Sequence, residues 1–242
     1  MPPAAFVATP PLADVGTAVG IGGLALVMAG IVVWLRVRHE RVGPGPTAAV
    51  LAAWMTVTAA LAVSGELARF DRPLPLMAVL LPVILGVPIL VALSPLGGRM
   101  AAAQPVVALV GLQSFRLPLE LVMHRAATIG IMPAELSYSG YNVDIVTGAG
   151  AVGLFLALRA TRVPRALVWA WNLWGLGCLG MIAWIARSSS PLVRAFGDDP
   201  RHVNTWVLYF PYIWLPAVLV VIALGGHLVL TRKLLAERRR AR

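Results

Sequence analysis

Apolar residues dominate the chain in stretches of about 20, the length at which a helix crosses ~30 Å of hydrocarbon. Short segments that contain most of the arginines separate these stretches. Windows of this length predict seven membrane spans, at residues 15–35, 47–67, 74–93, 105–126, 145–158, 166–186 and 205–229. The fifth window is short by itself, so six spans is the alternative.

The composition also indicates a membrane protein. Of the 242 residues, 59% are hydrophobic and 12% are charged, whereas soluble domains carry roughly 25% charged residues. The sequence contains no internal repeat and no linker long enough to separate two domains. We therefore predict an all-α fold, a single integral membrane helical bundle over residues 1–242 with about seven transmembrane helices.

Lysines and arginines are unevenly divided between alternate loops. Cytoplasmic loops of membrane proteins carry an excess of these residues. With the N-terminus outside, thirteen of the twenty fall in inner segments, at Arg36, Arg38, Arg41, Arg99, Arg159, Arg162, Arg165, Arg232, Lys233, Arg238, Arg239, Arg240 and Arg242. The bias predicts an outside N-terminus and a cytoplasmic C-terminus. We interpret residues 230–242 as a basic cytoplasmic tail attracted to anionic lipid, and not to nucleic acid.

A polar stripe interrupts the fourth predicted span. At 100° per residue, Gln113, Arg116, Glu120 and His124 project from one face of a helix. An ionisable residue at bilayer depth costs several kcal/mol unless it is paired or hydrated, and it marks a functional site by default. Because Arg116 and Glu120 are four residues apart, their spacing allows an ion pair along their own helix, and Gln113 and His124 could occupy the remaining donors and acceptors.

The segment after the stripe is rich in hydrogen-bonding and aromatic groups. We expect residues 127–144 to form an outer loop that caps the stripe, with Tyr138, Asn142 and Asp144 turned toward it. Asn204 and Tyr209 enter the seventh span on the same side. Together with Gln113, Arg116, Glu120 and His124, these residues predict an outward-facing polar pocket that binds a small molecule or ion, as in a transporter or a sensor.

Two other function classes fit the same residues. Buried polar groups also fix how membrane helices pack, so a non-catalytic scaffold or assembly protein is the alternative. The third class is an intramembrane enzyme, which could use Glu120, His124, Glu135 and Asp144 as acid and base groups. It ranks last because the sequence contains no nucleophile-elbow, zinc-peptidase or phosphate-loop motif. We assign no catalytic residue.

Familiar cofactors fit the sequence poorly. Retinal needs a buried lysine, but the only lysine, Lys233, lies beyond the last predicted span. Zinc needs clustered ligands, whereas the four histidines are dispersed. Haem with two histidine ligands is disfavoured because His202, which shares a membrane side with His124, lies in a loop. The sequence predicts that His227 caps or snorkels at the inner end of span seven, and that Asn172 makes an interhelical hydrogen bond.

Several short motifs resemble a known pattern. They are Gln113-Ser114-Phe115-Arg116, Glu120, Met132-Pro133, Ser139-Gly140-Tyr141-Asn142-Val143-Asp144-Ile145, Thr147-Gly148, Trp171-Asn172, Gly175, Asn204, Phe210-Pro211 and Trp214-Leu215-Pro216-Ala217. This pattern resembles an uncharacterised family of bacterial multi-pass integral membrane proteins. The resemblance implies a bacterial cytoplasmic (inner) membrane location but no activity. For partners we expect the lipid bilayer, a small ligand and a homo-oligomer.

Overall fold

The computed structural model describes residues 8–240, and every regular element in that range is helical. The nine α-helices are α1 Val15–Leu35, α2 Pro44–Val63, α3 Leu76–Leu93, α4 Pro95–Ala103, α5 Val106–Leu112, α6 Arg116–Thr128, α7 Ile145–Ala160, α8 Arg165–Ser188 and α9 Val221–Arg240. The prediction of an all-α fold is confirmed.

Six helical stretches are long and apolar enough to cross a membrane, namely Val15–Glu40, Pro44–Val63, Leu76–Leu93, Val106–Thr128, Arg165–Ser188 and Leu215–Arg240. The predicted fifth span corresponds to α7, an apolar helix of 16 residues. At 1.5 Å per residue this helix is about 24 Å long, which is less than the thickness of the hydrocarbon layer.

Proline accounts for the interruption in the fourth long helix. α5 and α6 are joined by one 3-10 turn, Gln113–Phe115. Pro118 lacks the N–H that would bond the carbonyl of Ser114, and its ring crowds that carbonyl. The turn therefore lies immediately before Arg116, at the middle of the long helix, and this break sets the direction in which α6 continues.

The last helix differs from the prediction at both ends. Residues 205–214 do not begin it: Trp206–Leu208 is a 3-10 turn, and the helix starts as a π segment, Leu215–Val220. It then continues as α9 to Arg240, so the predicted basic tail is mostly the end of this helix. Residues 241 and 242 of that tail lie outside the described range.

Contacts between helix termini define two ends of the bundle. At the first end, named here the Asp14 end, the start of α1 meets the end of α6 through Asp14 and Arg125. At the opposite end, named the Arg36 end, Gln104 donates to the carbonyl of Leu35, and Arg232 donates to the carbonyl of Ala92. The α1 and α6 helices are therefore antiparallel, and the end of α3 lies beside Arg232 of α9.

The segment between α6 and α7 folds into the bundle. Gly130, at φ 77°, ends α6 in a left-handed conformation, and Ile131 N–H donates to the Ala126 carbonyl at 2.8 Å, as in a Schellman cap. The following residues are largely buried, including Ile131, Met132, Leu136, Ser137 and Asn142. Residues 129–144, named here the inserted loop, therefore fill space that a longer α7 would occupy.

Close helix packing sets the depth at which α7 begins. Gly148 lies against the backbone of Leu117, and Gly111 lies against the ring of Phe155. This antiparallel register places the start of α7 beside Glu120, about eight residues before the end of α6. Eight helical residues correspond to ~12 Å, which is the depth that the inserted loop spans.

Candidate functional site

Arg116 is buried in the middle of the bundle and pairs with Asp144. The two residues are 1% and 2% exposed. Arg116 Nε donates to Asp144 Oδ2 at 2.6 Å, and Arg116 Nη2 donates to Oδ1. This two-bond arrangement is the strong form of the arginine–carboxylate pair. The predicted Arg116–Glu120 ion pair is wrong, because the start of α7 brings a different carboxylate to the guanidinium.

His227 is the third member of the network. Arg116 Nη1 lies 2.8 Å from His227 Nε2. Since a guanidinium has only donors, Nε2 must accept, and the proton of the imidazole is therefore on Nδ1. That proton is donated to Asn172 Oδ1 at 2.9 Å. The expectation that His227 caps or snorkels is wrong: the side chain is 0% exposed, because α9 extends well beyond it.

Asn172 extends the network toward the Arg36 end. Its Nδ2 donates to Thr231 Oγ1 at 2.7 Å, and that hydroxyl donates to the carbonyl of His227 at 2.9 Å. The hydrogen bonds therefore run in one direction, from Arg116 through His227 and Asn172 to Thr231. Asn172 makes the interhelical hydrogen bond predicted from the sequence, with α9 as the partner helix.

Three glycines from three helices make room for these side chains. A Cβ at Gly175 of α8 would overlap the imidazole of His227. A Cβ at Gly226 of α9 would overlap the amide of Gln113, and one at Gly148 of α7 would overlap the backbone of Leu117. Because these positions carry no side chain, His227 and Gln113 can pack directly against neighbouring helices, and the backbones of α6 and α7 can approach each other closely.

Glu120 has a weaker set of partners than Asp144. It is 1% exposed, and Asn142 Nδ2 lies 3.0 Å and 2.9 Å from its two oxygens. The same nitrogen lies 3.0 Å from the carbonyl of Leu136. An amide nitrogen has only two protons, so the two oxygens of Glu120 share the equivalent of one donor.

Asn142 also builds the start of α7. Its Oδ1 accepts from the backbone N–H of Asp144 at 2.9 Å, the bond of an Asx turn. One side chain therefore holds Glu120, closes the inserted loop and fixes the backbone of Asp144. This geometry explains why Asp144 lies against Arg116 although the two residues are 28 positions apart in the chain.

The stripe continues toward the Asp14 end through His124. Its Nδ1 lies 3.0 Å from Ser137 Oγ, and its ring stacks on Tyr138 with centroids 4.3 Å apart. Ser137 is 0% exposed, whereas His124 is half-buried. His124 and Tyr138 therefore lie above Glu120, at the level of the inserted loop.

The remaining candidates lie apart from the Arg116–Asp144 pair. Gln113 is buried beneath Arg116 and donates to the Ala223 carbonyl at 3.1 Å. Tyr209 donates to the carbonyl of Ala8 at 2.8 Å. Asn204 N–H bonds the Ser189 carbonyl at 2.7 Å, and its side-chain oxygen is buried without a partner among the described residues. The structure therefore does not bring Asn204 or Tyr209 to the stripe.

A small cavity connects the charged residues. Its volume is about 20 Å³, and Arg116, Glu120 and Asp144 line it together with apolar residues and the π segment Leu215–Val220. One water molecule needs roughly 10–15 Å³ and two to four polar partners. The cavity therefore has the size and the polar groups to hold one water between Glu120 and the ion pair.

The site has an excess of negative charge when all its acids are ionised. Two carboxylates, Glu120 and Asp144, lie beside one guanidinium, and His227 is neutral by its hydrogen bonds. Within residues 8–240, no group of three or more His, Cys, Asp or Glu side chains could hold a metal ion. A proton is the simplest species that would balance the remaining charge.

The sequence indicated Arg116, Glu120, Asn142 and Asp144 but not the role of His227. Its polar neighbour Asn172 lies on another helix, and His227 falls at the middle of its own helical stretch only when the observed limits, Leu215–Arg240, are used. Comparison of the chain with protein-family models, curated proteins and solved structures finds no significant match. The resemblance described above therefore stays a prediction.

Proposed function

We propose that this chain is a multi-pass membrane protein with seven crossing helices whose buried site binds a proton at Glu120, together with a small molecule or ion. It would act as a transporter or a sensor. The crossing that is added to the six long helices is α7, the fifth in chain order. The inserted loop spans the part of the membrane that this short helix does not reach. The site is closed in the described arrangement, so a ligand enters only when the loop moves.

The observation that supports this proposal is the unequal pairing of the two buried carboxylates, Asp144 and Glu120. Asp144 accepts two hydrogen bonds from the guanidinium of Arg116, whereas the only hydrogen-bond donor to Glu120 among the described residues is the side-chain amide of Asn142. An ionised carboxylate that is removed from water costs several kcal/mol unless charges and donors compensate it. Protonation removes that cost at Glu120 and provides a donor for the adjacent cavity. A buried group that exchanges a proton is the device that proton-linked membrane proteins use.

Polar groups lead from Glu120 to the Asp14 end. Asn142 holds Glu120, its backbone N–H bonds the Ser137 carbonyl at 3.3 Å, and Ser137 Oγ contacts His124. His124 is half-buried. These groups line a route along which a proton reaches Glu120 from the Asp14 end, and the inserted loop controls this route because it supplies Ser137 and Asn142.

Arg116 supplies the anion-binding part of the proposal. A guanidinium fork matches a carboxylate or phosphate in two-bond geometry, and Asp144 occupies that fork here. An anionic ligand would compete with Asp144 for Arg116. Protonation of the neighbouring carboxyl would lower the repulsion that such a ligand meets, so proton binding and anion binding would favour each other.

The charge distribution supports an orientation with the Arg36 end in the cytoplasm. That end contains twelve lysines and arginines among the described residues but only two acids, Glu40 and Glu237. At the Asp14 end, five of the arginines are paired with acids, in the pairs Arg69–Asp71, Arg72–Glu66, Arg125–Asp14, Arg194–Asp198 and Arg201–Asp199. A large positive excess on one side is typical of the cytoplasmic face.

A scaffold is the second candidate, and one observation favours it. Arg116, Asp144, His227 and Asn172 satisfy one another within the chain, as expected of a network that fixes helix packing. Glu120 distinguishes the two candidates, because a purely structural network has no need for an acid that is held by one shared amide.

Thermal unfolding in detergent tests the proposal against a panel of inorganic anions, amino acids and alkali cations. A compound that binds the native state raises the apparent stability by RT ln(1 + [L]/Kd). We expect a shift for at least one anionic compound, larger at about pH 5 than at about pH 8 if a carboxyl must be protonated. In Glu120→Gln the shift should persist and become independent of pH.

Glu66→Gln is the matched control, because Glu66 lies at the Asp14 end and its partners are Arg69 and Arg72. This variant should retain the pH dependence of the wild type. If no compound shifts the unfolding temperature of the folded wild type at either pH, the binding proposal fails and the scaffold is favoured.

A further inference from the structure

A second and larger cavity lies on the other side of the Gln113 side chain, toward the Arg36 end. Its volume is about 180 Å³. Residues from α1, α2, α3, α4, α5 and α9 line it, and nearly all of them are apolar. One lining residue, Val87, is 42% exposed on the surface of the bundle. The cavity is therefore a crevice that reaches the face where lipid would lie.

The dimensions of the crevice match part of a hydrocarbon chain. Its α9 wall runs from Val221 to Val229, which corresponds to ~12 Å along a helix axis. An apolar cavity of about 150 Å³ is sufficient to bind benzene. Gly225 and Gly226 keep the α9 wall open, because neither position carries a side chain.

One end of the crevice is polar. Arg36 and Gln104 line it there. Gln104 is 2% exposed, and its Nε2 donates to the Leu35 carbonyl and to Glu40 Oε1, each at 3.2 Å. Its Oε1 is buried without a partner among the described residues. An acceptor at the end of an apolar crevice suits a ligand that carries a hydroxyl at the end of its hydrocarbon part.

Cations surround this polar end. Arg38 and Arg41 follow Arg36 in the chain, and Arg99 precedes the lining residue Met100. All three arginines are exposed, and none of them forms an ion pair within residues 8–240. A negatively charged headgroup at this level would meet these three arginines, whereas Arg36 is already paired with Glu40 at 3.1 Å.

We infer that this crevice binds one acyl chain of an anionic phospholipid, with its headgroup beside Arg36, Arg38 and Arg99. The apolar walls take the chain, the arginines select a negative headgroup, and Gln104 Oε1 accepts a hydrogen bond from a headgroup hydroxyl such as that of phosphatidylglycerol. Assignment to the inner leaflet rests on the orientation proposed above, whereas lipid binding itself does not.

The crevice also touches the buried site. Gly226 lines the crevice, and the amide of Gln113 lies directly against Gly226. Leu112, the residue before Gln113, is a further lining residue. A bound acyl chain therefore contacts the same segment that supports Arg116, so lipid occupancy should limit how far the 3-10 turn Gln113–Phe115 can move.

Native mass spectrometry of the full chain tests this inference. The protein is exchanged into detergent with equal amounts of phosphatidylglycerol and phosphatidylcholine, and the retained lipid is counted. We expect the wild type to retain one phosphatidylglycerol in at least about fivefold preference, the factor that corresponds to one arginine beside an anionic headgroup. Equal retention of the two lipids would overturn the inference.

Substitutions that fill the crevice provide a second test of lipid binding. Val91→Trp projects into it from α3, and Gly225→Leu fills it from α9, where a Cβ meets only Pro88 at 3.6 Å. The matched control is Val83→Trp, on the same helix as Val91, 41% exposed and outside the crevice. We expect both filling variants to lose the retained lipid and the control to keep it.

If Val91→Trp does not fold, Gly225→Leu carries the test. Retention of phosphatidylglycerol by a folded filling variant at the level of Val83→Trp would contradict binding in the crevice. Neutralising the headgroup site, by Arg38→Gln and Arg99→Gln together, should lower the preference for phosphatidylglycerol, whereas Arg187→Gln at the Asp14 end should leave it unchanged.

Discussion

The carboxylate of Asp144 accepts two hydrogen bonds from Arg116, although Glu120 lies one helical turn from that arginine on the same helix. Glu120 instead contacts Asn142, two residues before Asp144. The inserted loop therefore carries both partners, and its position divides the two carboxylates into one that is fully paired and one that is not. The chemistry proposed for this protein follows from that division.

The first prediction concerns the cost of breaking the buried pair. Arg116→Gln leaves Asp144 charged and unpaired, and Asp144→Asn does the same to Arg116. Each single substitution should lower the free energy of unfolding by ~3–5 kcal/mol, the usual cost of removing one partner of a buried pair. The double variant should be considerably more stable than the sum of the single effects implies. Denaturant unfolding in mixed micelles measures the four proteins, and additive effects would show that the two residues are not coupled.

The second prediction uses the glycine beside His227. Gly175→Ala places a Cβ against the imidazole, so the ring must move away from Arg116 or Asn172. We expect a loss of ~1–3 kcal/mol, as for other overpacked sites. Gly177→Ala, on the same helix, meets nothing within 4 Å and should be neutral or slightly stabilising. Equal unfolding temperatures for the two variants would refute the close packing at His227.

The third prediction concerns acid pH at the Asp14 end. Hydrogen bonds from Arg125 and Thr17 hold the pKa of the Asp14 carboxyl well below its usual range. Because the pKa is lower in the folded protein, the stabilisation is present above the unfolded-state pKa and is lost as the pH falls through the folded-state pKa. Wild type should therefore be more stable than Asp14→Asn at neutral pH, and the difference should disappear only in strong acid. A difference that is already lost near pH 5, or one that is absent throughout, would show that these bonds do not stabilise the start of α1.

The fourth prediction concerns topology. Ala195 lies in the exposed segment after α8, and Ala236 is exposed near the end of α9. Cysteines at these two positions should react with a membrane-impermeant reagent from opposite sides of sealed vesicles, with position 195 outside the cell. Cys178, the single native cysteine, is buried and serves as the unlabelled background. Labelling of both positions from one side would rule out seven crossings in the proposed orientation.

The sequence predicted the helical class and the buried stripe because both depend on local spacing. Gln113, Arg116 and Glu120 are all buried as their shared helix face implied. The hydrogen-bond partners were less predictable. A spacing of four residues allows an Arg116–Glu120 pair, but the sequence does not show that α7 begins about 12 Å below the end of α6 and places Asp144 closer.

The position of His227 was also mispredicted, because the sequence did not show where the last helix begins and ends. Residues 205–214 are apolar enough to be counted in the last span, yet they form turns, and the helix runs from Leu215 to Arg240. That shift moves His227 from the apparent membrane surface to the depth of Arg116. Hydropathy measures the length of an apolar segment, but it does not show which part of that segment is helical.

Infrared spectroscopy of the protonated carboxyl group tests the central claim most directly. At about pH 7 a solvated glutamate is ionised, so a carboxylic C=O stretch in the reconstituted wild type reports a buried acid that retains its proton. We predict that this band is present, that Glu120→Gln removes it, and that Glu66→Gln leaves it unchanged. A wild-type spectrum without the band, or a band that survives in folded Glu120→Gln, would contradict a proton held at Glu120.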